Sequence, residues 1–280
     1  MVEAKSELEK IKEDYESKLK EIDFENEANY LFKKFSKIEN VHALNYRIKD
    51  PDHLIEKIKR KQKDNPKRII TVENYNKEIT DLIGFRILHV FKDGWKTIDD
   101  YIRKYFKDDF IDDPIFCYRE GDNIGDIDET KFKKECRKSG YRSIHYVIKK
   151  ETSGFEIPVE IQVRTIFEDA WGEIDHTIRY PNYIDDSLIN DYSAILNRLA
   201  GLGDEIGINI RNIKEALANS QNQADELIKK LKLTQDQRDI LAVDNFMKSS
   251  KPGAVAGGFA GGLLTSYLIY MLLNKNKDES

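Results

Sequence analysis

Cysteine is scarce in this chain of 280 residues, which contains only Cys117 and Cys136. The two do not form a CxxC pair, so the sequence excludes a disulfide framework and gives no indication of a zinc site. Residues 1–15 are rich in charge and contain no apolar run, so we expect no signal peptide. These features favour a protein that folds in a reducing cytosol.

A large excess of charge of one sign is also missing. Charged residues make up 35% of the chain, yet its net charge is only -5, which argues against general nucleic-acid binding. A local basic patch could still bind phosphates. Hydrophobic residues make up 40% and aromatic residues 10%, enough for one large or two small folded domains.

The stretch from Gly140 to Thr165 has the clearest alternation of apolar and polar side chains. We predict two strands here, joined by a turn at Ser153 and Gly154. Because successive side chains of a strand point to opposite faces, each strand has one apolar and one polar face. The polar face of the first strand carries Tyr141, Ser143 and His145, and that of the second carries Glu160, Gln162 and Arg164. Two such faces on adjacent strands predict a reaction site.

A third strand is predicted in the run IGFRILHVF, which the chain enters from Asp81. Gly84 and Arg86 share one face of this strand. A carboxylate at the strand edge is a suitable ligand for Mg²⁺, and an arginine further along could neutralise charge on a phosphate. Asp81 and Arg86 are therefore candidates for metal-assisted phosphoryl transfer.

The segment from Asn45 to Lys61 is basic and contains Pro51, which is well placed to begin a helix. Lys57 and Lys61 lie four residues apart on one face of that helix. Their repulsion would be relieved by an anion between them.

Four blocks of sequence occur together in this chain. They are RIKDPDHLIEKIKRK at 47–61, DLIGFR at 81–86, GYRSIH at 140–145 and EIQVRT at 160–165. In these blocks the chain resembles the synthetase domain of the RelA/SpoT alarmone synthetase family, over about residues 40–182. The resemblance implies an α+β nucleotidyltransferase fold, similar to that of polymerase-beta-like enzymes, in which helices flank a mixed sheet. It also implies a GTP pyrophosphokinase, which transfers pyrophosphate from ATP to the 3′-hydroxyl of GDP or GTP.

The resemblance implies roles for particular residues on the ATP side. Arg47 would stack on the adenine, and Lys49 and Lys57 would hold the phosphates. Relatives usually have serine where His53 stands, and often where Asp50 stands. A carboxylate beside a triphosphate is unfavourable, so these two departures put the efficiency of ATP binding in question.

On the acceptor side, the resemblance implies that Tyr141 stacks on the guanine. The other residues assigned to acceptor binding are His145, Gln162 and Arg164. Glu160 is the expected general base, because a 3′-hydroxyl is a weak nucleophile and must lose its proton during attack. Asp81 would hold Mg²⁺ with Glu160 as a second ligand, and Arg86 would assist catalysis by neutralising charge.

Two other functions remain open from the sequence. The first is a toxic enzyme that transfers pyrophosphate to the 3′ end of tRNA, which a basic cluster could favour; its members are Lys131, Lys133, Lys134, Arg137 and Lys138. The second is a catalytically weak, membrane-associated sensor or scaffold, which the departures at Asp50 and His53 suggest. Only about forty residues precede the four blocks, so we expect a small synthetase without a hydrolase domain.

Helices are predicted on both sides of the synthetase region. We expect an amphipathic helix over 1–40 and further helices over 183–250. Another helix is expected after Thr165, with Trp171, Ile174 and Ile178 packed on the sheet. His176 on the helix after Thr165 follows the family pattern and is expected to support the site.

Residues 251–280 are predicted to form a hydrophobic C-terminal helix and a short tail. Gly253–Leu273 is uncharged and long enough to cross a bilayer, so we expect it to anchor a cytoplasmic catalytic domain to the membrane. Its glycines recur every fourth residue, a spacing that favours helix association and a homo-oligomer.

Overall fold

The computed structural model of the chain describes residues 6–122, 124–125, 127–179 and 186–231. The predicted anchor at Gly253–Leu273 lies outside the described residues. None of the helices in the described ranges combines the length and the apolar character needed to cross a bilayer. Two compact units are present, Met1–Glu205 and Ile206–Ser280.

A six-stranded mixed sheet forms the centre of the first unit. The strands are β1 (Val41–Ile48), β2 (Ile83–His89), β3 (Ile115–Tyr118), β4 (Lys133–Cys136), β5 (Ser143–Thr152) and β6 (Phe155–Thr165). Their order across the sheet is β1-β2-β6-β5-β3-β4. β2 pairs with β6 and β3 with β4 in parallel, whereas the other neighbours are antiparallel. The strand predicted in the run IGFRILHVF is confirmed as β2, and the two predicted within Gly140–Thr165 are confirmed as β5 and β6.

Seven α-helices accompany this sheet in the described part of the chain. They are α1 (Glu7–Glu21), α2 (Phe24–Phe35), α3 (Pro51–Asp64), α4 (Tyr75–Glu78), α5 (Trp95–Phe106), α6 (Ile166–Arg179) and α7 (Ser187–Leu231). The predicted α+β architecture, with helices flanking a mixed sheet, is therefore confirmed.

The two faces of the central strands differ sharply. On one face, Phe85, Ile161 and Tyr146 are buried in adjacent positions of β2, β6 and β5. Phe35 of α2 packs edge-on against Phe85, with ring centroids 5.1 Å apart, and also contacts Phe106 of α5. Helices cover this apolar face, whereas Glu160, Gln162 and Arg164 alternate with the buried residues of β6 and therefore lie on the other face.

The N-terminal region differs from the single helix predicted over 1–40. The chain adopts an extended conformation at Ile22, and Asp23 then caps α2 by accepting a hydrogen bond from the Asn26 amide at 2.8 Å. An aspartate followed by acidic residues in the next turn is an ordinary signal for a helix start. The expected apolar stripe does pack into the core, where Ile11 and Tyr15 are fully buried.

The first unit also includes the beginning of α7, where one carboxyl group is buried. Asp204 is 3% exposed, and its Oδ2 accepts a hydrogen bond from Thr165 Oγ1 at 2.9 Å. Burial, followed by the neighbouring Glu168 carboxylate, raises the pKa of Asp204 to about 7, against the weaker opposing effects of Thr165, Lys92 and Arg142.

We expect this group to make the protein less stable at pH 8 than at pH 4. The pKa of Asp204 is higher in the folded chain than its ordinary 3.8, so unfolding releases a proton between about pH 4 and 7. The free energy of unfolding therefore falls as pH rises through that window. Asp204→Asn should raise it by on the order of 2 kcal/mol at pH 8 and change it little at pH 4.

Urea unfolding at both pH values measures this effect. Asp191→Asn is the matched control, because Asp191 is an exposed carboxylate on the same helix. An equal gain for Asp204→Asn at pH 4 and pH 8 would contradict the titration and indicate better packing instead.

Candidate active site

A cleft of about 1110 Å³ opens over the polar face of the sheet. At one end it is lined by residues of β1, α3 and the loop before β2, including Arg47, Lys49, Lys57 and Asp81. At the other end it is lined by Tyr141, Gln162, Arg164 and residues of α6. One cavity is thus lined by predicted donor residues and by three of the four predicted acceptor residues.

The donor end is a cluster of cations around one buried carboxylate. Lys49 Nζ lies 2.8 Å from Asp81 Oδ2, Lys57 Nζ lies 2.8 Å from Oδ1, and Arg47 lies 3.9 Å from Oδ2. Lys49 is only 7% exposed, and burial lowers its pKa in spite of the attraction of Asp81. Three cations around one carboxylate leave an excess of positive charge, which suits a polyphosphate.

Asp81 is the carboxylate in this cluster best suited to hold a metal ion. Its Oδ1 is buried and has no hydrogen bond of regular geometry, although Lys57 Nζ lies 2.8 Å away. No three His, Cys, Asp or Glu side chains of the described residues cluster into a complete metal site. Mg²⁺ usually takes one or two protein carboxylates and completes its shell with water and substrate phosphates, so an isolated Asp81 fits that ion.

The departure from the family at Asp50 has a structural explanation. Its Oδ1 accepts hydrogen bonds from the backbone amides of Asp52 at 2.9 Å and His53 at 3.2 Å, so Asp50 caps α3. Pro51 is the first residue of the helix, as predicted. The Lys61 ammonium donates to the Glu78 carbonyl oxygen, whereas Lys57 lines the cleft and contacts Asp81.

At the acceptor end, five polar side chains form a closed ring of contacts. Tyr141 Oη lies 2.8 Å from His145 Nε2, and His145 Nδ1 lies 3.2 Å from Glu160 Oε1. Gln162 Nε2 donates to Glu160 Oε2 at 2.9 Å. Arg164 closes the ring by donating to Gln162 Oε1 at 2.6 Å and to Tyr141 Oη.

The five side chains of this ring differ in whether they line the cleft. Tyr141, Gln162 and Arg164 line it, whereas His145 and Glu160 lie beneath them with side chains 17% and 16% exposed. The Arg164 guanidinium covers the Tyr141 ring at 4.8 Å from its centroid. The predicted acceptor residues are therefore assembled, although Tyr141 precedes β5 and is not part of it.

The Glu160 carboxylate is ionised over the whole physiological range. Burial raises the pKa of Glu160, but this effect is outweighed by His145, Lys57 and Gln162, which together lower it to about 2. Lys57 also contacts Asp81, so its charge acts on both predicted metal ligands.

Gly84 lies between the two ends of the cleft. Arg47 of β1 pairs with Gly84 of β2, which pairs in turn with Glu160 of β6. Arg47 and Glu160 therefore belong to strands about 10 Å apart, with no side chain on the strand between them. The Arg47 side chain lies over this glycine, since a Cβ there would be 3.5 Å from its Nε and 3.6 Å from its Cγ.

Arg86 is held by two carboxylates that sequence reasoning missed. Its Nε lies 3.3 Å from Asp169 Oδ1 and its Nη1 lies 2.6 Å from Glu173 Oε1, both on α6. Asp169 also approaches Arg164 Nη1 at 3.4 Å. The two acids are four residues apart, a spacing that places them on one helical face and could have revealed them.

The same helix requires a correction of the predicted packing. Trp171 is buried as expected, but Ile174 and Ile178 are 46% and 42% exposed and do not pack into the core. Asp169 and Glu173 occupy the face of α6 that is directed to the sheet, where they pair with Arg86 and Arg164. Ile174 and Ile178 therefore lie on the solvent-exposed side of the helix. His176 lines the cleft, as its predicted supporting role requires.

The basic cluster at residues 131–138 lies at one edge of the sheet. It includes β4, a short edge strand that the sequence pattern did not reveal. Lys131, Lys133 and Lys134 pair with carboxylates at 4.0, 3.7 and 2.9 Å, and Arg137 pairs with Glu135 at 2.8 Å. This pairing reduces the positive charge available to an RNA.

Comparison with known sequences supports the resemblance. A family model described as a region found in RelA / SpoT proteins matches residues 46–185, which is half of the chain. The chain belongs to the RelA/SpoT family. As a member of it, the protein is a GTP pyrophosphokinase-like enzyme. Curated proteins give no match to the sequence.

Solved structures also resemble this RelA/SpoT family member. Small alarmone synthetase 1 from Bacillus subtilis superposes with a TM-score of 0.52 at 21% identity, covering 68% of this chain and 92% of that one. A GTP pyrophosphokinase family protein from Streptococcus pneumoniae gives a TM-score of 0.45 at 24% identity, covering 75% and 95%. The first of these supports the nucleotidyltransferase-like fold.

Proposed function

We propose that this enzyme transfers pyrophosphate from ATP to the 3′-hydroxyl of GDP or GTP and so makes (p)ppGpp. The main support is that one cleft joins a cation cluster at Asp81 to the polar ring at Glu160. Family membership supports the same reaction. Arg47, Lys49 and Lys57 are proposed to bind ATP, and Tyr141, His145, Gln162 and Arg164 the acceptor.

In the proposed reaction, the 3′-oxygen attacks the β-phosphorus of ATP. The bond between that phosphorus and the oxygen bridging to the α-phosphorus breaks, and AMP leaves. The hydroxyl proton passes to Glu160, whose carboxylate is already ionised at neutral pH. Charge on the transferred group is neutralised by Lys57 and by Arg86, which must loosen its contacts with Asp169 and Glu173 to do so.

Mg²⁺ is the proposed cofactor, held by Asp81 with Glu160 as the second ligand. When bound, it would supply positive charge to neutralise the phosphates of ATP during transfer. The two carboxylates do not need to form a complete protein shell, since phosphates and water supply the remaining oxygens.

A transfer assay with three acceptors tests the proposed function. ATP labelled at the γ-phosphate is incubated with the purified full-length chain, Mg²⁺ and either GDP, GTP or tRNA. We expect a labelled guanosine product together with an equal amount of AMP. Label on tRNA, or release of ADP or free phosphate instead of AMP, would overturn the proposal.

We further expect the basic cluster to be dispensable. The Lys131, Lys133 and Lys134 triple alanine variant should keep its activity within about twofold and show weak salt dependence, because a mononucleotide makes few phosphate contacts. An RNA acceptor would produce a steep fall with salt, since each phosphate contact releases counterions.

The rates between 50 and 300 mM salt measure this dependence. A matched control replaces three exposed lysines of the N-terminal region by alanine, namely Lys20, Lys33 and Lys37. A large loss of activity confined to the cluster variant would favour the tRNA acceptor.

A further inference from the structure

The loop that carries Tyr141 is held from α7, beyond the region matched by the family model. Asn197 of α7 is 2% exposed, and its Nδ2 donates to the Gly140 carbonyl oxygen at 2.8 Å. Its Oδ1 accepts from Arg142 Nη1 at 3.0 Å. One side-chain amide thus contacts the residues on both sides of Tyr141.

The orientation of this amide is determined by its neighbours. Arg142 is itself fixed, since its Nε and Nη2 donate to the Asp122 carboxylate at 2.6 and 2.9 Å. If the Asn197 amide were reversed, its oxygen would face the Gly140 carbonyl and its NH₂ group would face a guanidinium. Both contacts would then be repulsive, so only the observed orientation satisfies the buried groups.

Gly140 is adapted to this close contact. Its φ is 85°, a backbone conformation that other residues rarely adopt. A Cβ at this position would lie 2.8 Å from the Asn197 side chain. The helix therefore approaches the loop as closely as a glycine allows.

We propose that Asn197 is a positioning residue for the acceptor, acting through Tyr141. Asn197 holds the Gly140 carbonyl on one side of Tyr141 and the Arg142 guanidinium on the other, while the phenol is directed by His145 and Arg164. The ring therefore has one position at the acceptor end of the cleft. This inference rests on the function proposed above, because the acceptor is the ligand that Tyr141 is expected to stack on.

Two substitutions test the role of Asn197 in the full-length protein. Asn197→Ala removes both contacts, whereas Asn197→Asp keeps an oxygen for Arg142 and loses the donor to Gly140. In both variants we expect the Kd for GDP to rise at least tenfold and the Kd for a non-hydrolysable ATP analogue to change less than twofold. Ala200→Gly is the matched control, because it weakens the same helix at another buried position and leaves the Asn197 amide in place.

Amide hydrogen exchange without nucleotide gives a second readout. The amides of residues 139–143 should exchange at least tenfold faster in both Asn197 variants and at the wild-type rate in Ala200→Gly. Unchanged exchange, or an equal loss of GDP and ATP-analogue affinity, would overturn the proposal. If Asn197→Ala fails to fold, the comparison rests on Asn197→Asp. If the wild type binds no guanine nucleotide, the proposed function fails, whereas the exchange rates still decide whether Asn197 holds the loop.

Discussion

Glu160→Gln should lower kcat at least 100-fold while the fold and the binding of both nucleotides are retained. The substitution keeps the shape of the side chain and removes its negative charge. Loss of a general base typically costs 10²-fold to 10⁴-fold in rate. Because the pKa of Glu160 is about 2, the wild-type carboxylate is charged at every pH used in the assay, so this loss should be constant from pH 6 to 9.

The measurement combines AMP release with calorimetric binding of GDP and of an ATP analogue. Glu156→Gln is the matched control, because Glu156 lies on the same strand and pairs with Glu151 at the far end of the sheet. The control should retain full activity. A Glu160→Gln variant that keeps more than about a tenth of the wild-type rate would remove Glu160 from the chemistry.

The strands that carry this site were predictable from local sequence. The alternation along β6 places Glu160 and Gln162 on the face opposite the buried Ile161. The resemblance to the RelA/SpoT family then assigns the four sequence blocks to one site. The short strand β4 was not predictable, because KKEC has no apolar alternation and its pairing is with a distant segment, β3. Asp23 is a signal for the start of α2, but the apolar residues continue at helical spacing across the break between α1 and α2 and so favoured a single helix.

The contacts between elements were beyond local patterns. Arg86 and Glu173 meet because α6 crosses the polar face of the sheet, and no periodicity within either segment requires that contact. Asn197 lies far from Gly140 in sequence, and an asparagine within a helical pattern is ordinarily solvated. The sequence therefore predicts which residue types reach the cleft, while tertiary packing determines their partners.

Asp81→Asn should have the second large effect, on both activity and stability. Asp81 is 5% exposed and neutralises Lys49 and Lys57, so its replacement leaves the buried Lys49 ammonium without its counter-charge and Lys57 with only Glu160. Breaking a buried ion pair in this way typically costs about 3–5 kcal/mol. If Asp81 is also a ligand of Mg²⁺, kcat should fall at least 100-fold, and the Mg²⁺ concentration for half-maximal rate should rise.

A double variant separates these two roles of Asp81. Asp81→Asn combined with Lys49→Met removes one charge of each sign, so the melting temperature should recover much of the loss seen in the single variant. A metal ligand is not restored by this change, and the double variant should stay at least 100-fold less active than wild type. Lys49→Met alone is the control for lost phosphate binding and should raise the KM for ATP with a smaller effect on kcat. Recovery of more than a tenth of the wild-type rate in the double variant would mean that Asp81 serves to neutralise Lys49, and that the metal ligands must be sought elsewhere.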